Sequence, residues 1–354
     1  MKITIIWGTA GFWLWTAQYI KKHLEQAEIT VTWRNVERGT KVANENNFKF
    51  TNNNKEAVKD ADVTIFSVPI AYMEETIKEL APLAKKGSML IDVCSIKGFP
   101  AQTMKKYSQE WVFILPTHPM FWPYIEEIAG QIFVLTPLSE EDKQDERYIL
   151  IKNFLEKQGA KVIETTPEKH DKMMAVVQWL THINMFTVWE TIKRMGISVE
   201  ESLDFVSPIY KLMIASVARY IWHDPKLYWD IQMYNPEVLK VHDKFMEVIK
   251  DFNKAVQDKD EEKFIEIIQW TKNYFWKEAK KFGQNYTDKI IYLMTEQIRE
   301  INENIWKKLK FKNIHNQEII EWVIKKLDNN ILEFTNWTKI DINKYIITDN
   351  NSTL

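Results

Sequence analysis

A histidine held between prolines is the most distinctive chemical feature of the sequence. The segment Pro116-Thr117-His118-Pro119 directly follows an apolar run at residues 112–115. Open α/β sheets place their chemistry in loops at the carboxyl ends of their strands. An imidazole in such a loop has a pKa near neutrality and can accept a proton from an alcohol. The residues alone leave two interpretations open, a general base at His118 or a structural histidine.

A second candidate site is the turn at residues 7–13, which follows an apolar run and leads into a helical pattern. This order is typical of a dinucleotide site, because glycine lets the backbone approach a pyrophosphate and the helix offers its N-terminal amides. Two indoles stand where the G-x-G-x-x-G pattern and its common leading glycine have the smallest residue. Taken literally, each would overpack the turn at a cost of about 1–3 kcal/mol or more. We expect the cofactor to contact Trp7, Gly8, Thr9, Ala10, Gly11, Phe12 and Trp13.

Arg34 follows the second predicted strand, at residues 28–32. A fold that binds NAD usually has Asp or Glu at this point, where the carboxylate accepts both ribose hydroxyls. A guanidinium instead pairs with a 2′-phosphate. The sequence therefore favours NADP as the cofactor and leaves NAD possible, and a solvated surface arginine is the alternative interpretation.

Three further residues could bind a ligand. His170 and His182 lie twelve residues apart on one predicted helix and therefore on roughly one face. No third ligand at helical spacing accompanies them, so we expect no metal site. Arg219 lies late in a largely apolar helical pattern at residues 208–221. A charge in that setting needs a partner, which is either an internal carboxylate or an anionic ligand.

The composition is that of a soluble globular protein. The chain has 354 residues, 45% of them hydrophobic and 27% charged, with a net charge of -2. This balance gives no electrostatic reason to expect nucleic acid or a membrane surface as a partner. Cys94 is the one cysteine, which excludes an intrachain disulfide and favours a reducing compartment. With no apolar run approaching the roughly 18 residues of a membrane span, we expect a cytoplasmic protein.

The order of predicted elements indicates how these residues are positioned. Residues 1–166 alternate short apolar strands with helical patterns, which predicts an α/β domain with a doubly wound (Rossmann-type), mostly parallel sheet that binds a dinucleotide. Residues 167–310 show long helical patterns and no convincing strand, which predicts an all-helical substrate and dimerisation domain. For residues 311–354 we expect one more helix, at about 317–329, and a polar tail of unknown role.

Taken together, several segments of the chain resemble the prephenate/arogenate dehydrogenase family of tyrosine biosynthesis. They are residues 8–13, 67–69, 92–97, 117–123, 170–182 and 219–230. The resemblance implies that His118 takes the proton of the ring 4-hydroxyl while hydride leaves C4 for the nicotinamide and the ring carboxylate is lost as CO2. It also implies that Ser95 assists at this hydroxyl, that Arg219 holds a substrate carboxylate and that His182 lies in the substrate or cofactor pocket.

The resemblance adds expectations about ligands and assembly. It implies that Ser67, Val68 and Pro69 contact the cofactor and that the chain forms a homodimer through its helical domain. The substrate is prephenate or arogenate, and the sequence does not choose between them. If the tryptophans of the turn are native residues, a catalytically silent nucleotide-binding regulator is the alternative.

Tryptophan stands at many positions where the family pattern has glycine. The chain holds 15 tryptophans and 9 glycines, whereas average usage predicts about 25 glycines in a chain of this length. The positions concerned are Trp7, Trp13, Trp33, Trp122 and Trp179, and we expect the same of Trp111, Trp189, Trp222 and Trp276. We hypothesise that the gene uses UGA as a glycine codon and that the printed sequence translates it as tryptophan. The hypothesis predicts glycine-like backbone angles at Trp7 or Trp13.

Overall fold

The computed structural model describes residues 1–123, 125–274, 279–314, 318–328 and 330–348 of the protein. The chain divides into two compact units. The first comprises Met1–Asp204 and Ile214–Asp251, and the second comprises Phe205–Met213 and Phe252–Leu354. This division differs from the expected boundaries at residues 166 and 310, because the first unit includes helices well beyond residue 166.

An eight-stranded sheet forms the centre of the first unit. Its strands are β1 (Lys2–Ile6), β2 (Glu28–Thr32), β3 (Lys49–Thr51), β4 (Val63–Phe66), β5 (Met89–Asp92), β6 (Phe113–Pro119), β7 (Ile132–Leu135) and β8 (Lys161–Glu164). Their order is β3-β2-β1-β4-β5-β6-β7-β8, and every neighbouring pair is parallel except the antiparallel pair β6 and β7. The predicted doubly wound, mostly parallel sheet is confirmed.

The sheet is buried on both faces because its central strands are largely apolar. Ile5 of β1 packs into one hydrophobic cluster and Ile6 into another. Ile91 and Leu90 of β5 divide between the same two clusters. Such continuous apolar strands are typical of a parallel sheet covered by helices on both sides.

Several helices of the first unit begin at a residue whose side chain caps them. The helices of both units are α1 (Gly11–His23), α2 (Val36–Asn46), α3 (Asn54–Asp60), α4 (Ile70–Leu80), α5 (Gly98–Tyr107), α6 (Glu146–Lys157), α7 (Pro167–Met174), α8 (Thr181–Arg194), α9 (Val199–Leu203), α10 (Pro208–Ile221), α11 (Pro225–Tyr234), α12 (Val238–Asp258), α13 (Glu261–Tyr274) and α14 (Ala279–Glu303). Thr166 and Asp224 cap α7 and α11, each followed by a proline at the first helical position. A π-helical turn, Ala175–Leu180, joins α7 to α8. No helix in the described ranges is long and apolar enough to cross a membrane.

The sheet order places a crevice between β1 and β4. Connections leave these neighbouring strands in opposite directions along the sheet, and ligands of such folds bind at the carboxyl ends of the two strands. The glycine turn follows β1, and Ser67 follows β4. The Ser67 hydroxyl donates a hydrogen bond to the carbonyl of Ile6, which ties the two strand ends together.

The second unit contains a five-stranded antiparallel sheet where a helix and a tail were expected. Its strands are β9 (Lys308–Asn313), β10 (Ile319–Asp328), β11 (Ile331–Phe334), β12 (Lys339–Asp341) and β13 (Tyr345–Ile347), in the order β12-β11-β10-β9-β13. The predicted helix at 317–329 is therefore wrong over its described residues, while positions 317 and 329 lie outside them. A β-bulge between Ile324 and Lys326 shifts the register of β10. The bulge interrupts the alternation of inward-facing and outward-facing side chains along β10. The apolar residues of this strand therefore have a spacing in the sequence like that of a helix. Residues 349–354 of the expected tail also lie outside the described residues.

Two turns of the second unit have a left-handed backbone at tryptophan. Trp306 follows α14 with φ +67°, and Trp337 lies between β11 and β12 with φ +68°. The amide of Trp337 donates to the carbonyl of Phe334 at 3.0 Å, and hairpin loops longer than two residues favour glycine at their left-handed position. Both positions therefore have the backbone of a glycine.

Candidate active site

A cavity of about 760 Å³ lies in the first unit, beyond the carboxyl ends of β4, β5 and β6. Its wall combines parts of the sheet, the π-helical turn and α11. The structure brings seven of the predicted site residues into this wall, namely Phe12, Trp13, Val68, Pro69, Ser95, His118 and His182. Residues from distant parts of the sequence therefore share one cavity.

Other predicted site residues lie elsewhere. Trp7 and Arg34 line a smaller pocket of about 240 Å³ together with Tyr72. The side chain of Arg219 is exposed on α10 and is not in the wall of the larger cavity. Among the described residues of that wall, Lys226 is the one lysine or arginine, and its Nζ lies 2.8 Å from the carboxylate of buried Asp230.

The glycine turn has the backbone that a dinucleotide site requires. Trp7 has φ +66°, the glycine-like angle that the sequence predicts for this position, whereas Trp13 lies inside α1. A Cβ on Gly8 would lie 2.9 Å from the side chain of Ile5, so this position accepts only glycine without a shift of its neighbours. Gly11 also has a positive φ, +56°.

Two features of the turn fit a bound pyrophosphate. Thr9 is 1% exposed, and its buried hydroxyl has no hydrogen-bond partner among the described residues. Helix α1 begins directly after Ala10, whose side chain supplies no cap for the first amides. Unused donors at the start of a helix are an anion site.

The indole of Trp7 is the feature that does not fit. Its ring lies 4.5 Å from the guanidinium carbon of Arg34, and its centroid is 5.7 Å from those of Trp33 and Tyr72. This is the end of β2, where a doubly wound fold binds the ribose. The backbone and Thr9 therefore suit a dinucleotide, provided that position 7 carries no large side chain.

His118 lies in a strand and not in the loop that the sequence predicts. After Pro116, β6 leaves its parallel neighbour β5 and continues beside the antiparallel β7, where His118 pairs with Val134. The change of partner extends the strand to Pro119. As a result, His118 is only 4% exposed and sits on a backbone that is paired on one side.

A buried chain of polar groups extends from His118 into the protein. His118 Nδ1 lies 2.8 Å from His170 Nε2, and His170 Nδ1 lies 2.8 Å from Asp171 Oδ1. Burial holds the pKa of His118 well below its usual value of 6.5, and neighbouring His170 and Lys97 lower it further. Burial also lowers the pKa of His170, although Asp171 opposes that effect. Both rings are therefore neutral at physiological pH.

A buried ion pair supports the segment that carries Ser95. Lys97 Nζ contacts the carboxylate of Asp92 and donates to the carbonyl of Thr117 at 2.6 Å. Asp92 also accepts the amide of Cys94 at 2.9 Å. Burial raises the pKa of Asp92 to about 6, even though Lys97 lowers it. The pair fixes the backbone that delivers Ser95 to the cavity.

His182 enters the cavity between two tyrosines. Its ring centroid lies 4.8 Å from that of Tyr228 and 5.3 Å from that of Tyr220. Burial and then the nearby His223 lower the pKa of His182 to about 4. Its Nδ1 is buried without a hydrogen-bond partner in the described part of the chain. A neutral ring nitrogen is thus available to a ligand.

Gln178 is a wall residue that has no signal in the sequence. It is brought to the cavity by the π-helical turn, and its Nε2 lies 3.5 Å from His118 Nε2. A turn of this kind is frequent at functional sites but leaves no clear sequence pattern. The neighbouring Trp179 is 1% exposed and donates from Nε1 to Gln232 at 3.1 Å.

Comparison with known proteins shows the family to which this chain belongs. A model described as "Prephenate dehydrogenase, nucleotide-binding domain" matches residues 16–164, and one described as "Prephenate dehydrogenase, dimerization domain" matches residues 166–270. The chain is 40% identical over 332 residues to the "Probable arogenate/prephenate dehydrogenase" of Methanocaldococcus jannaschii, covering 94% of this chain and 74% of that protein. The chain belongs to the prephenate dehydrogenase family. The resemblance seen in the sequence is confirmed, and the family is one of oxidoreductases.

More distant relatives of the prephenate dehydrogenase family agree with this result. The "T-protein" of Enterobacter agglomerans is 29% identical over 225 residues, which cover 64% of this chain and 58% of that protein, less than two thirds of its length. A crystal structure of prephenate dehydrogenase from Aquifex aeolicus, in complex with hydroxyphenyl propionate and NAD+, is 21% identical. It covers 77% of this chain and 96% of that chain, with a TM-score of 0.61, which shows a shared fold.

Proposed function

We propose that the protein oxidises prephenate to 4-hydroxyphenylpyruvate, with transfer of hydride to NADP+ or NAD+ and loss of the ring carboxylate as CO2. The observation that carries the proposal is the buried, neutral His118 in the cavity wall. His170 engages one of its ring nitrogens, and the other lies near Gln178, a second wall residue. A neutral imidazole in such a site can accept the proton of a substrate hydroxyl.

The side chains of the cavity divide the work of this reaction. His118 accepts the proton of the 4-hydroxyl at Nε2, while Ser95 and His182, which line the same cavity, hold the substrate. A bound nicotinamide dinucleotide supplies the acceptor for the hydride that leaves C4. Departure of CO2 then makes the ring aromatic and provides the driving force, so the protein needs mainly to align the reactants and remove one proton.

A substrate carboxylate requires a cation, and we assign this role to Arg219. The assignment rests on the resemblance of residues 219–230 to the family, because the Arg219 side chain is exposed and outside the cavity wall. Lys226 in the wall is already paired with Asp230. Comparing the two cations by substitution decides which of them binds the substrate.

We propose NADP as the preferred cofactor, with NAD as the alternative. The pocket beside β2 supports this assignment, since Arg34 lines it and no carboxylate follows directly at the strand end. Replacing Arg34 by alanine should then weaken binding of NADP+ far more than that of NAD+. Equal weakening of both dinucleotides would contradict a role in binding the 2′-phosphate.

We also propose that the native protein carries glycine at Trp7 and at further tryptophan positions. Trp7, Trp306 and Trp337 have φ between +66° and +68°, which is favourable for glycine and strained for a bulky residue. The intact mass of protein isolated from its native source tests the idea, because each Trp→Gly replacement lowers the mass. A native mass equal to that of the printed sequence would refute it.

Formation of NADPH or NADH with prephenate, with arogenate and without substrate tests the function. Substrate-dependent reduction by prephenate supports the proposal, and reduction by arogenate alone assigns the alternative activity. Cofactor binding without substrate-dependent reduction would instead indicate the catalytically silent nucleotide-binding regulator. That outcome would be favoured if the indoles of Trp7 and Trp13 at the crevice are native.

His118→Asn should lower turnover by about 10²–10⁴-fold and leave cofactor affinity nearly unchanged. His242→Asn, on the exposed surface of α12, is the matched control.

We further propose that the chain forms a homodimer and works in the cytoplasm. The match of residues 166–270 to a model described as a dimerization domain supports the first point. Light scattering of the purified protein should give twice the mass of one chain, and a monomer at assay concentration would contradict the assignment.

A further inference from the structure

We propose that His170 and Asp171 set the tautomer of His118, so that its Nδ1 carries the proton and its Nε2 presents a lone pair to the substrate. His170 is then a positioning residue that acts through His118. It does not line the cavity, and the sequence assigns it no role beyond its helical spacing to His182. The inference deepens the proposed function and rests on it only for the identity of the substrate.

The direction of each hydrogen bond follows from the far end of the chain. Asp171 Oδ1 accepts the backbone amide of Lys97 at 2.7 Å, and Oδ2 accepts that of Gly98 at 2.8 Å. Since a backbone amide can only donate, both oxygens of Asp171 act as acceptors. The neighbouring Nδ1 of His170, at 2.8 Å, must therefore be the donor.

The same logic continues through both rings. A neutral imidazole that donates from Nδ1 can only accept at Nε2. His170 Nε2 therefore accepts from His118 Nδ1 at 2.8 Å, and His118 Nε2 is left with its lone pair. When His118 takes the substrate proton at Nε2, it keeps its Nδ1 proton and its bond to His170. The positive ring that results is stabilised through His170 by the charge of Asp171.

The surroundings of the pair hold it in one geometry. His170 is 2% exposed and Asp171 is 3% exposed. A Cβ on Gly98 would lie 2.9 Å from Asp171 Oδ2, so a glycine at this position gives the carboxylate its close approach to α5. Asn235 Nδ2 donates to the Asp171 carbonyl at 2.9 Å and ties α7 to the end of α11. Contacts from α5 and from the end of α11 thus hold Asp171 in place. Through Asp171 they also hold the ring of His170, whose Nε2 is the acceptor that faces His118.

The pH dependence of His118 involves a defined set of charges. Lys97 and Asp92 form the buried ion pair beside β6, and Asp171 lies beyond His170. Lys97 lowers the pKa of both histidines, whereas Asp171 raises that of His170. Removing the His170 ring deletes the link to Asp171 and leaves Lys97 and Asp92 in place.

Two substitutions at His170 with different hydrogen-bonding capacity test the proposal. The amide oxygen of His170→Gln can still accept from His118 Nδ1, whereas His170→Leu has no acceptor. With prephenate as substrate, His170→Leu should lower kcat by about 10²-fold or more with a small change in KM, and His170→Gln should recover at least part of this loss. The acid limb of the kcat profile should move in His170→Leu, and His242→Gln should match the parent protein in kcat.

Nitrogen-15 spectra of the histidine rings give a measurement that does not depend on turnover. The parent protein and His170→Gln should show His118 as the neutral form protonated at Nδ1, and His170→Leu should lose this preference. A parent protein with His118 protonated at Nε2 would overturn the proposal, even if the leucine variant failed to fold. Equal kcat values and profiles in all three proteins would also overturn it. If the parent shows the predicted tautomer but oxidises neither prephenate nor arogenate, the proposed function fails and the positioning role stands.

Discussion

Replacement of Trp7 by glycine should tighten dinucleotide binding with little change in stability. The left-handed backbone at φ +66° costs a non-glycine residue about 1–3 kcal/mol. The indole offsets part of this cost through its ring contacts with Trp33 and Tyr72, each worth about 0.5–1.5 kcal/mol. Its contact with Arg34 adds about 0.5–1 kcal/mol. The gain of about 1–3 kcal/mol and the losses of about 1.5–4 kcal/mol in total largely offset each other, so the free energy of unfolding should change by about 1 kcal/mol at mid-range values and by no more than about 3 kcal/mol.

Binding should respond more strongly than stability. The indole occupies the end of β2, where the ribose is expected, and relief of overpacking of about 1–3 kcal/mol corresponds to a roughly 5- to 150-fold lower Kd. Calorimetric titration with NAD+ and NADP+ measures this change in the purified variant and its parent. Equal or weaker binding by Trp7→Gly would refute the reasoning.

Trp15→Gly is the matched control for this experiment. Trp15 lies inside α1, and its Nε1 donates to the carbonyl of Ile125 at 2.8 Å. Its removal should cost about 3–5 kcal/mol of stability and should not tighten binding. If both variants lost the same stability, the strain assigned to Trp7 would be wrong.

Three further outcomes are expected. In steady-state assays, Arg219→Ala should have a KM for prephenate about 10–100-fold higher than that of the control Arg194→Ala. Equal KM values for the two variants would show that Arg219 does not bind the substrate. Burial lowers the pKa of His182 from 6.5 to about 4, so between these pH values the unfolded chain binds a proton at this residue and the folded protein does not. The free energy of unfolding should therefore fall as pH drops from about 6.5 towards 4. Denaturant titrations over this pH range should show a smaller fall for His182→Gln than for the parent protein. Trp337 is 76% exposed with φ +68°, so Trp337→Gly should raise stability by about 1 kcal/mol, whereas Trp322→Gly should lower it, since Trp322 packs against the core of the second sheet.

The sequence predicts the part of this protein that depends on local pattern. Apolar runs such as that of β5 identify the strands of the parallel sheet, and the prolines around His118 single out one of the two histidines in the described wall of the cavity. The chain of hydrogen bonds behind His118 could not be predicted, because His170 lies 52 residues away and meets it only in the folded protein. The helix expected at 317–329 failed for a local reason, since the bulge at Ile324 gives a strand the spacing of a helix.

The continuation of β6 beside β7 has a consequence for how the site is prepared. Hydrogen bonds from Thr136 to the Pro116 carbonyl at 3.0 Å and from Met120 to the Ile132 carbonyl at 2.9 Å flank the histidine on both sides. The backbone of His118 is thus ordered before substrate arrives, so no loop-folding entropy is lost when substrate binds. The amide of Met120 should exchange slowly with deuterated solvent in the ligand-free protein, and the temperature dependence of turnover should reflect bond breaking and not the ordering of a loop.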